Sequence, residues 1–335
     1  MNIIIPMAGM GKRMRPHTLT TPKPLIPVAG KPIVQRLVED IAKMCDEKIE
    51  TIAFIIGRHF GEEVEEHLRQ IASEEGAVGK IYYQDEALGT AHAVNCAREC
   101  LTGNVIVAFA DTLFRADFKI DKEQDGVIWV HRVEDPSAFG VVKLDDNGNI
   151  SDFVEKPETF VSDLAIIGIY FFKDGEYLKE EIKYILDNDI KEKGEYQLTN
   201  VLDNMKNKGS VFAPGRVDEW WDCGNKNATV YTNQRVLANM NGELKKPTDV
   251  QENESTIIDP CYIGKGVVLK NATVGPYVSI GDNTTVENSV ISNSIVQSDT
   301  EIKNANLTNS MIGKHAIYDG EANEVSIGDY CQQSE

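Results

Sequence analysis

Six cations and no carboxylate occupy the first 38 residues of a 335-residue chain that carries 53 Asp and Glu in all. An even spread would put about six carboxylates there. Within that span, residues 7–32 run MAGMGKRMRPHTLTTPKPLIPVAGKP. Ala8, Gly9 and Gly11 make a small-residue loop after the apolar run Ile3-Ile4-Ile5. Lys12, Arg13 and Arg15 stand beside it, and Lys23 sits between Pro22 and Pro24. Glycines let backbone N–H groups approach an anion closely, and clustered cations match the charge of phosphates. The flanking prolines fix the backbone that carries Lys23. The chemistry implied is the binding of a polyanion. A surface ion pair is the plainer fate of a lone arginine, and capping a helix or turn that of a lone aspartate such as Asp111 or Asp222.

The elements that must hold these groups are legible from periodicity. Short apolar runs at 3–5, 51–56, 80–83, 104–109 and 127–130 read as strands, with helical patterns at 32–45, 61–74 and 89–100 between the first four. This alternation predicts an α/β fold with a mostly parallel sheet covered on both faces. In such sheets ligands bind beyond the carboxyl ends of the strands, where the glycine loop after the first strand lies. Residues 140–172 read as a series of β pieces, and helical patterns return at 174–187, 197–206 and 225–239.

Near residue 240 the character changes. The polar stretch after it reads as a linker, 241–255. From Ile257 through Ile263, Leu269, Val274, Ile280, Val286, Ile291, Val296, Ile302, Leu307 and Ile312, apolar residues recur every five or six positions. That period belongs to a parallel β-helix of hexapeptide repeats, here about three to four coils over 256–335. Ile263-Gly264-Lys265, Ile280-Gly281-Asp282, Ile312-Gly313-Lys314 and Ile327-Gly328-Asp329 place a glycine after each inward residue. Such a tail reads as an assembly surface, and a homo-oligomer is expected.

The net charge of −19 argues against nucleic acid as a partner. No window reaches the length of a membrane span, and the start lacks the features of a signal peptide. Six scattered cysteines without a CxxC pair suit a reduced, cytoplasmic setting, with Cys96 and Cys100 (four apart on the 89–100 helix) as two buried thiols.

The opening loop resembles that of sugar-1-phosphate nucleotidylyltransferases, which follow GxG(T/S)R(L/M)xPxTxxxPKPLxPVxGKP. Gly9 to Met14, Pro16, Thr18, Pro22 to Leu25 and Gly30 to Pro32 match it, with Lys12 where the family has Thr or Ser. Further motifs come in the family's order: Gln84 to Ala91, Phe109-Ala110-Asp111, Phe139 to Val142, Glu155-Lys156-Pro157, Ala165 to Tyr170, Lys193 to Thr199 and Trp220 to Gly224. The resemblance covers residues 1–240 as catalytic domain with a Rossmann-like sheet, and the repeat tail matches the left-handed parallel β-helix of longer members.

That resemblance implies condensation of a nucleoside triphosphate with a sugar 1-phosphate, giving a nucleotide sugar and pyrophosphate. It assigns Arg13, Lys23 and Asp111 to catalysis, and Ala8, Gly9, Gly11, Gln84, Gly89 and Thr90 to the nucleotide. Gly140, Glu155, Lys156, Ile166, Tyr170 and Lys193 fall to the sugar phosphate, and Asp111 with Asp222 to Mg²⁺. A glutamine amide both donates and accepts, so Gln84 suits a pyrimidine edge and favours dTTP or UTP. Members that take N-acetylglucosamine 1-phosphate carry Asn where Ile166 stands, which favours glucose 1-phosphate. A guanylyl- or uridylyltransferase for a mannose, heptose or other sugar phosphate is the alternative. Two other classes fit less well. Regulatory subunits with this layout commonly lose the loop Arg, the Lys or the metal aspartates, and all four are present here. His315 alone, on a short tail, is a poor basis for an acyltransferase.

Overall fold

Ile3, Ile4 and Ile5 have no exposed surface, so the first strand, β1 (Asn2–Pro6), lies inside a sheet covered on both faces, as its unbroken apolar run requires. The structure, a computed structural model, describes residues 1–116, 119–240, 242 and 244–333. Residues 241 and 243 of the expected linker, and 334 and 335 of the repeat segment, lie outside the described residues. Contacts divide the chain into two compact units, Met1–Gly9 with Leu37–Trp220 and Met10–Arg36 with Trp221–Glu335.

The first unit is built on a nine-stranded sheet. After β1 come β2 (Thr51–Ile56), β3 (Val78–Tyr83), β4 (Val105–Ala108), β5 (Gly126–Arg132), β6 (Gly140–Leu144), β7 (Ile150–Glu155), β8 (Leu164–Phe172) and β9 (Phe212–Arg216). The order is β7-β6-β8-β4-β1-β2-β3, with β5 pairing β8 and β9. Strands β4, β1, β2 and β3 are parallel, with Ile3 opposite both Ile52 and Ile106. They are the strands that alternate with helices, since a parallel neighbour needs a crossover. Strand β8 runs antiparallel to β4, β5 and β6, so the sheet is Rossmann-like on one side and mixed on the other.

Helices α1 (Ile33–Met44), α2 (Glu62–Glu74), α4 (Gly175–Asp187) and α5 (Leu198–Asn207) follow the sequence patterns to within a residue or two. Asp174 starts α4 by accepting from the Tyr177 N–H at 2.8 Å, as an N-cap carboxylate does. The pattern at 89–100 gives instead α3 (Thr90–Cys96). At Ala97 the backbone leaves helical geometry, and Arg98–Cys100 tightens into a 3-10 turn closed by Cys100 N–H on the Ala97 carbonyl at 2.8 Å. The two thiols therefore sit on separate elements. Cys100 is buried against the Tyr82 hydroxyl at 3.3 Å, and Cys96 is half-buried and donates to the His92 carbonyl. Ala91 and Val94 of α3, Ile182 of α4 and Val201 of α5 pack with Ile4, Val107, Ile128 and Phe172 in one core. Each large side chain buried there contributes about 1.5–3 kcal/mol.

The second unit holds the cationic segment, helix α6 (Lys226–Asn239) capped by Asn225, and a left-handed parallel β-helix with ladders of six, five and four strands. The six-stranded ladder steps from Gln251 to Val268, Thr285, Glu301, Ile317 and Gln332. Five steps replace the three to four coils expected. Between the walls, Val274, Ile280, Ile302 and Tyr318 pack in an apolar interior. The glycines of the Ile-Gly pairs answer to crowding between stacked coils: a Cβ on Gly264 would lie 2.4 Å from Asp282 Oδ1, and one on Gly313 2.3 Å from Asp329 Oδ1. Left-handed φ falls instead to corner residues such as Asn288, Asn293 and Asn304, a region Asn tolerates. Asn288 Nδ2 donates to Asn304 Oδ1 on the next coil.

Candidate active site

In the second unit the cationic segment folds back on itself. Gly11 has φ +57°, and its carbonyl accepts from Met14 N–H and from Thr18 Oγ1, both at 2.8 Å. A Cβ there would stand 3.0 Å from Thr18 Cγ2 and 3.1 Å from Lys23 Cβ. Only glycine fits this conformation and spacing without strain, so the residue that bends the loop also seats Lys23 against it. Lys23 begins a 3-10 turn, with Pro22 in front and Pro24 buried behind. Arg13 is exposed on the turn Lys12–Met14, anchored by the buried Met14. Arg13 and Asp222 converge on Gly224. A Cβ on Gly224 would meet the Asp222 oxygens at 2.9 and 3.0 Å and the Arg13 guanidinium at 3.3 Å, and the Gly224 N–H donates to Asp222 Oδ1 at 2.9 Å.

In the first unit, Ala8 and Gly9 follow β1, and around Gly9 there is open space for 4 Å where a Cβ would point. Gln84 follows β3. Its amide nitrogen donates to the Gly89 carbonyl at 3.1 Å and lies 3.1 Å from His92 Nδ1. Burial, opposed by the Glu86 charge, lowers the pKa of His92. The neutral ring therefore accepts from the amide, and this orients Gln84. Gly89 has φ +115°, and a Cβ there would stand 2.5 Å from the Tyr196 carbonyl. Thr90 Oγ1 donates to Gln197 Oε1 and accepts from Leu198 N–H at 2.8 Å. Residues 84–90 and 196–198 are thus locked together, an arrangement the sequence did not disclose although both motifs stood in it.

A second cluster in this unit gathers several of the expected sugar residues. A Cβ on Gly140 would lie 3.1 Å from Glu155 Oε2, 3.3 Å from Ile166 Cδ1 and 3.4 Å from Thr199 Cγ2. Gly140 therefore leaves a cradle bounded by a carboxylate, the Ile166 side chain and the Thr199 methyl. Thr199 Oγ1 donates to Glu155 Oε2 at 3.3 Å; the residue stood in the Lys193–Thr199 motif, but this partnership was not read from the sequence. Lys156 pairs with Glu155 at 3.2 Å, and Lys193 donates to the Lys156 carbonyl at 2.7 Å. Glu155 is 13% exposed and Lys156 49%, so the lysine head remains open to a ligand. Tyr170 is buried. Desolvation first, then the charges of Glu155 and Asp111, raise its pKa far above that of an ordinary tyrosine. Its hydroxyl therefore stays protonated.

Asp111 follows β4 and is half-buried. Among the described residues no three His, Cys, Asp or Glu gather as a metal cage. Asp111 in the first unit and Asp222 in the second each carry carboxylate oxygens, hard donors of the kind that divalent cations take.

A family model described as "Nucleotidyl transferase" matches residues 2–239. The chain is 30% identical over 336 residues to the low-salt glycan biosynthesis nucleotidyltransferase Agl11 of Haloferax volcanii, covering 92% of this chain and 91% of that protein. It is 28% identical over 365 residues to a glucose-1-phosphate thymidylyltransferase of Streptomyces antibioticus, covering 99% of each. It is also 30% identical over 339 residues to the bifunctional protein GlmU of Methanocaldococcus jannaschii, covering 95% of this chain and 79% of that protein.

Proposed function

The chain belongs to the nucleotidyl transferase family, and we propose that it condenses a nucleoside triphosphate with a sugar 1-phosphate and releases pyrophosphate, with dTTP or UTP and glucose 1-phosphate as the favoured pair. The observation that carries this reading is the pairing of cation with glycine in the second unit, Lys23 seated on Gly11 and Arg13 on Gly224.

A sugar phosphate is already an anionic nucleophile, so no general base is required. The obstacle is repulsion between two polyanions and the charge that develops as pyrophosphate leaves in line. Arg13, with the amides of Ala8, Gly9 and Gly11, takes the β- and γ-phosphates. Lys23 lies at the α-phosphate and Lys156 takes the sugar phosphate, with Lys193 holding the Lys156 backbone. Gln84, oriented through Gly89 and His92, offers its amide oxygen to the N3–H of thymine or uracil. Asp111 and Asp222 hold the divalent metal, for which Mg²⁺ suits the oxygen donors; when bound it neutralises phosphate charge. Glu155 accepts from sugar hydroxyls in the cradle over Gly140. Ile166, buried and apolar, offers nothing to an acetamido N–H, which favours glucose over N-acetylglucosamine. The similarity over full length to a glucose-1-phosphate thymidylyltransferase points the same way.

In this reading residues 1–240 form the catalytic domain, 241–255 the linker and 256–335 the hexapeptide domain of a cytoplasmic homo-oligomer. Among the described residues no helix is long and apolar enough to cross a membrane. The test is pyrophosphate release with Mg²⁺, five nucleoside triphosphates and a panel of sugar 1-phosphates. Turnover with dTTP or UTP and glucose 1-phosphate is expected. Preference for GTP with another hexose or heptose phosphate would shift the substrate, and no release with any pair would overturn the reading.

A further inference from the structure

The segment Met10–Arg36 carries the phosphate-binding cations on little regular structure of its own: two 3-10 turns of three residues and a hairpin of two-residue strands, Pro27–Val28 and Lys31–Pro32. Ordering such backbone costs about 1–2 kcal/mol per residue, so something outside the segment must hold it. At its far end the holder is Asn233, whose Oδ1 accepts from Ala29 N–H at 2.9 Å and from Ser279 Oγ at 2.7 Å, while within the segment Arg36 donates to the Val28 and Ala29 carbonyls at 2.6 Å.

The near end is held by the final coil of the β-helix. Thr20 Oγ1 and Thr21 Oγ1 both donate to Asp329 Oδ2, the second at 3.1 Å. The His17 ring nitrogen Nε2 lies 3.0 Å from Ser326 Oγ, and Pro16 packs on Gly328. The repeat supplies its own comparison. Asp282 and Asp329 follow the same Ile-Gly pair, and each accepts a backbone N–H of the preceding coil at 2.8 Å, from Lys265 and Lys314. That bond belongs to the solenoid. Asp329 adds the two threonine hydroxyls, a contact that coil stacking does not need. Thr20 and Thr21 lie two and three residues beyond Thr18, whose hydroxyl holds the Gly11 carbonyl, and just before Lys23, whose Cβ rests at Gly11.

We propose that Asp329 is a positioning residue for the nucleoside triphosphate, fastening the anion-binding segment in its ligand-ready shape through Thr20 and Thr21. The inference rests on the nucleotide reading above and gives the repeat domain a part in substrate binding beyond assembly. Charge-assisted bonds of this kind are stronger than neutral ones. Losing them lets the segment sample shapes that do not bind, which weakens apparent affinity by the fraction misplaced.

The test compares full-length variants. Asp329→Asn, and Thr20→Val with Thr21→Val, are expected to raise the triphosphate KM about tenfold, with kcat within roughly threefold and the sugar phosphate KM unchanged. Thr20→Ser with Thr21→Ser keeps the hydroxyls and is expected to behave as wild type, as is Asp282→Asn. Amide hydrogen exchange over residues 11–21 is expected to quicken about tenfold in Asp329→Asn while residues 268–303 keep their protection. An unchanged triphosphate KM in both disrupted variants, an equal rise in Asp282→Asn, or a parallel rise in both KM values would overturn the proposal. If the wild type turned over no sugar phosphate, the nucleotide reading would fall by itself. The exchange of residues 11–21 would then still decide whether Asp329 fastens the segment.

Discussion

The anion-binding segment and the cradle over Gly140 recognise by opposite means. The segment presents Arg13 exposed, and Gly11 serves to bring Lys23 close to the backbone. The cradle is packed to within 3.1–3.4 Å of a position that any larger residue would fill. Charge acts over several ångströms and tolerates small displacements, whereas van der Waals shape forfeits much of its attraction within one. A triphosphate, flexible and highly charged, suits the first device, and a rigid pyranose with fixed hydroxyls suits the second.

Substitutions in the two regions should therefore fail differently. The largest effect is expected from Lys23→Ala, which should lower kcat by about 10²–10³-fold, as loss of a preorganised charge partner does, while the protein stays folded. A coupled pyrophosphate assay beside a thermal melt checks this, and near-wild-type turnover would remove Lys23 from the machinery. Next comes Gly140→Ala. Its methyl crowds Glu155 and Ile166, so the sugar phosphate KM should rise about tenfold with the triphosphate KM unmoved. A rise in both would mean that the cradle is not a separate recognition element.

The smallest effect concerns stability. His17 is buried within the cationic segment, and its pKa is lowered to about 4, chiefly by desolvation, with Asp329 opposing and Lys226 assisting. The unfolded chain, with an ordinary histidine near 6.5, binds the proton first as pH falls. The folded state should lose about 3 kcal/mol between pH 6.5 and 4 on this account, with nothing further lost below. Urea unfolding at pH 7 and pH 4 should show this loss shrinking in His17→Gln. Equal losses in both proteins would mean that the ring does not carry it.

Much of the fold was legible because burial on both faces writes itself as unbroken apolar runs. The strands at 3–5 and 51–56, and the helix expected at 32–45, fell within two residues of their observed bounds. The coil number was not legible. Gln251–Asn253 and Gln332–Gln333 close the ladder with exposed polar residues, and a count of inward apolar positions passes over them. Helix α3 ends at Cys96 because the backbone tightens at Ala97, and no glycine or proline marks the place. At the site, Gly140, Glu155 and Ile166 stood in motifs and are brought together. The hydroxyl of Thr199 and the ring of His92 were not anticipated, since a single polar contact leaves no period. Thr20 and Asp329, 309 residues apart, lie beyond any local pattern.

The repeat lengths have a consequence of their own. Along the longest ladder the coils shorten, from 17 residues between Gln251 and Val268 to 15 between Ile317 and Gln332. A stack of parallel coils exposes an unpaired rim at each end, and one molecule's rim invites another's. Here the coils at the two rims differ by two residues, so one chain's rim is a poor register match for the opposite rim of the next. That mismatch in repeat length disfavours head-to-tail growth into filaments.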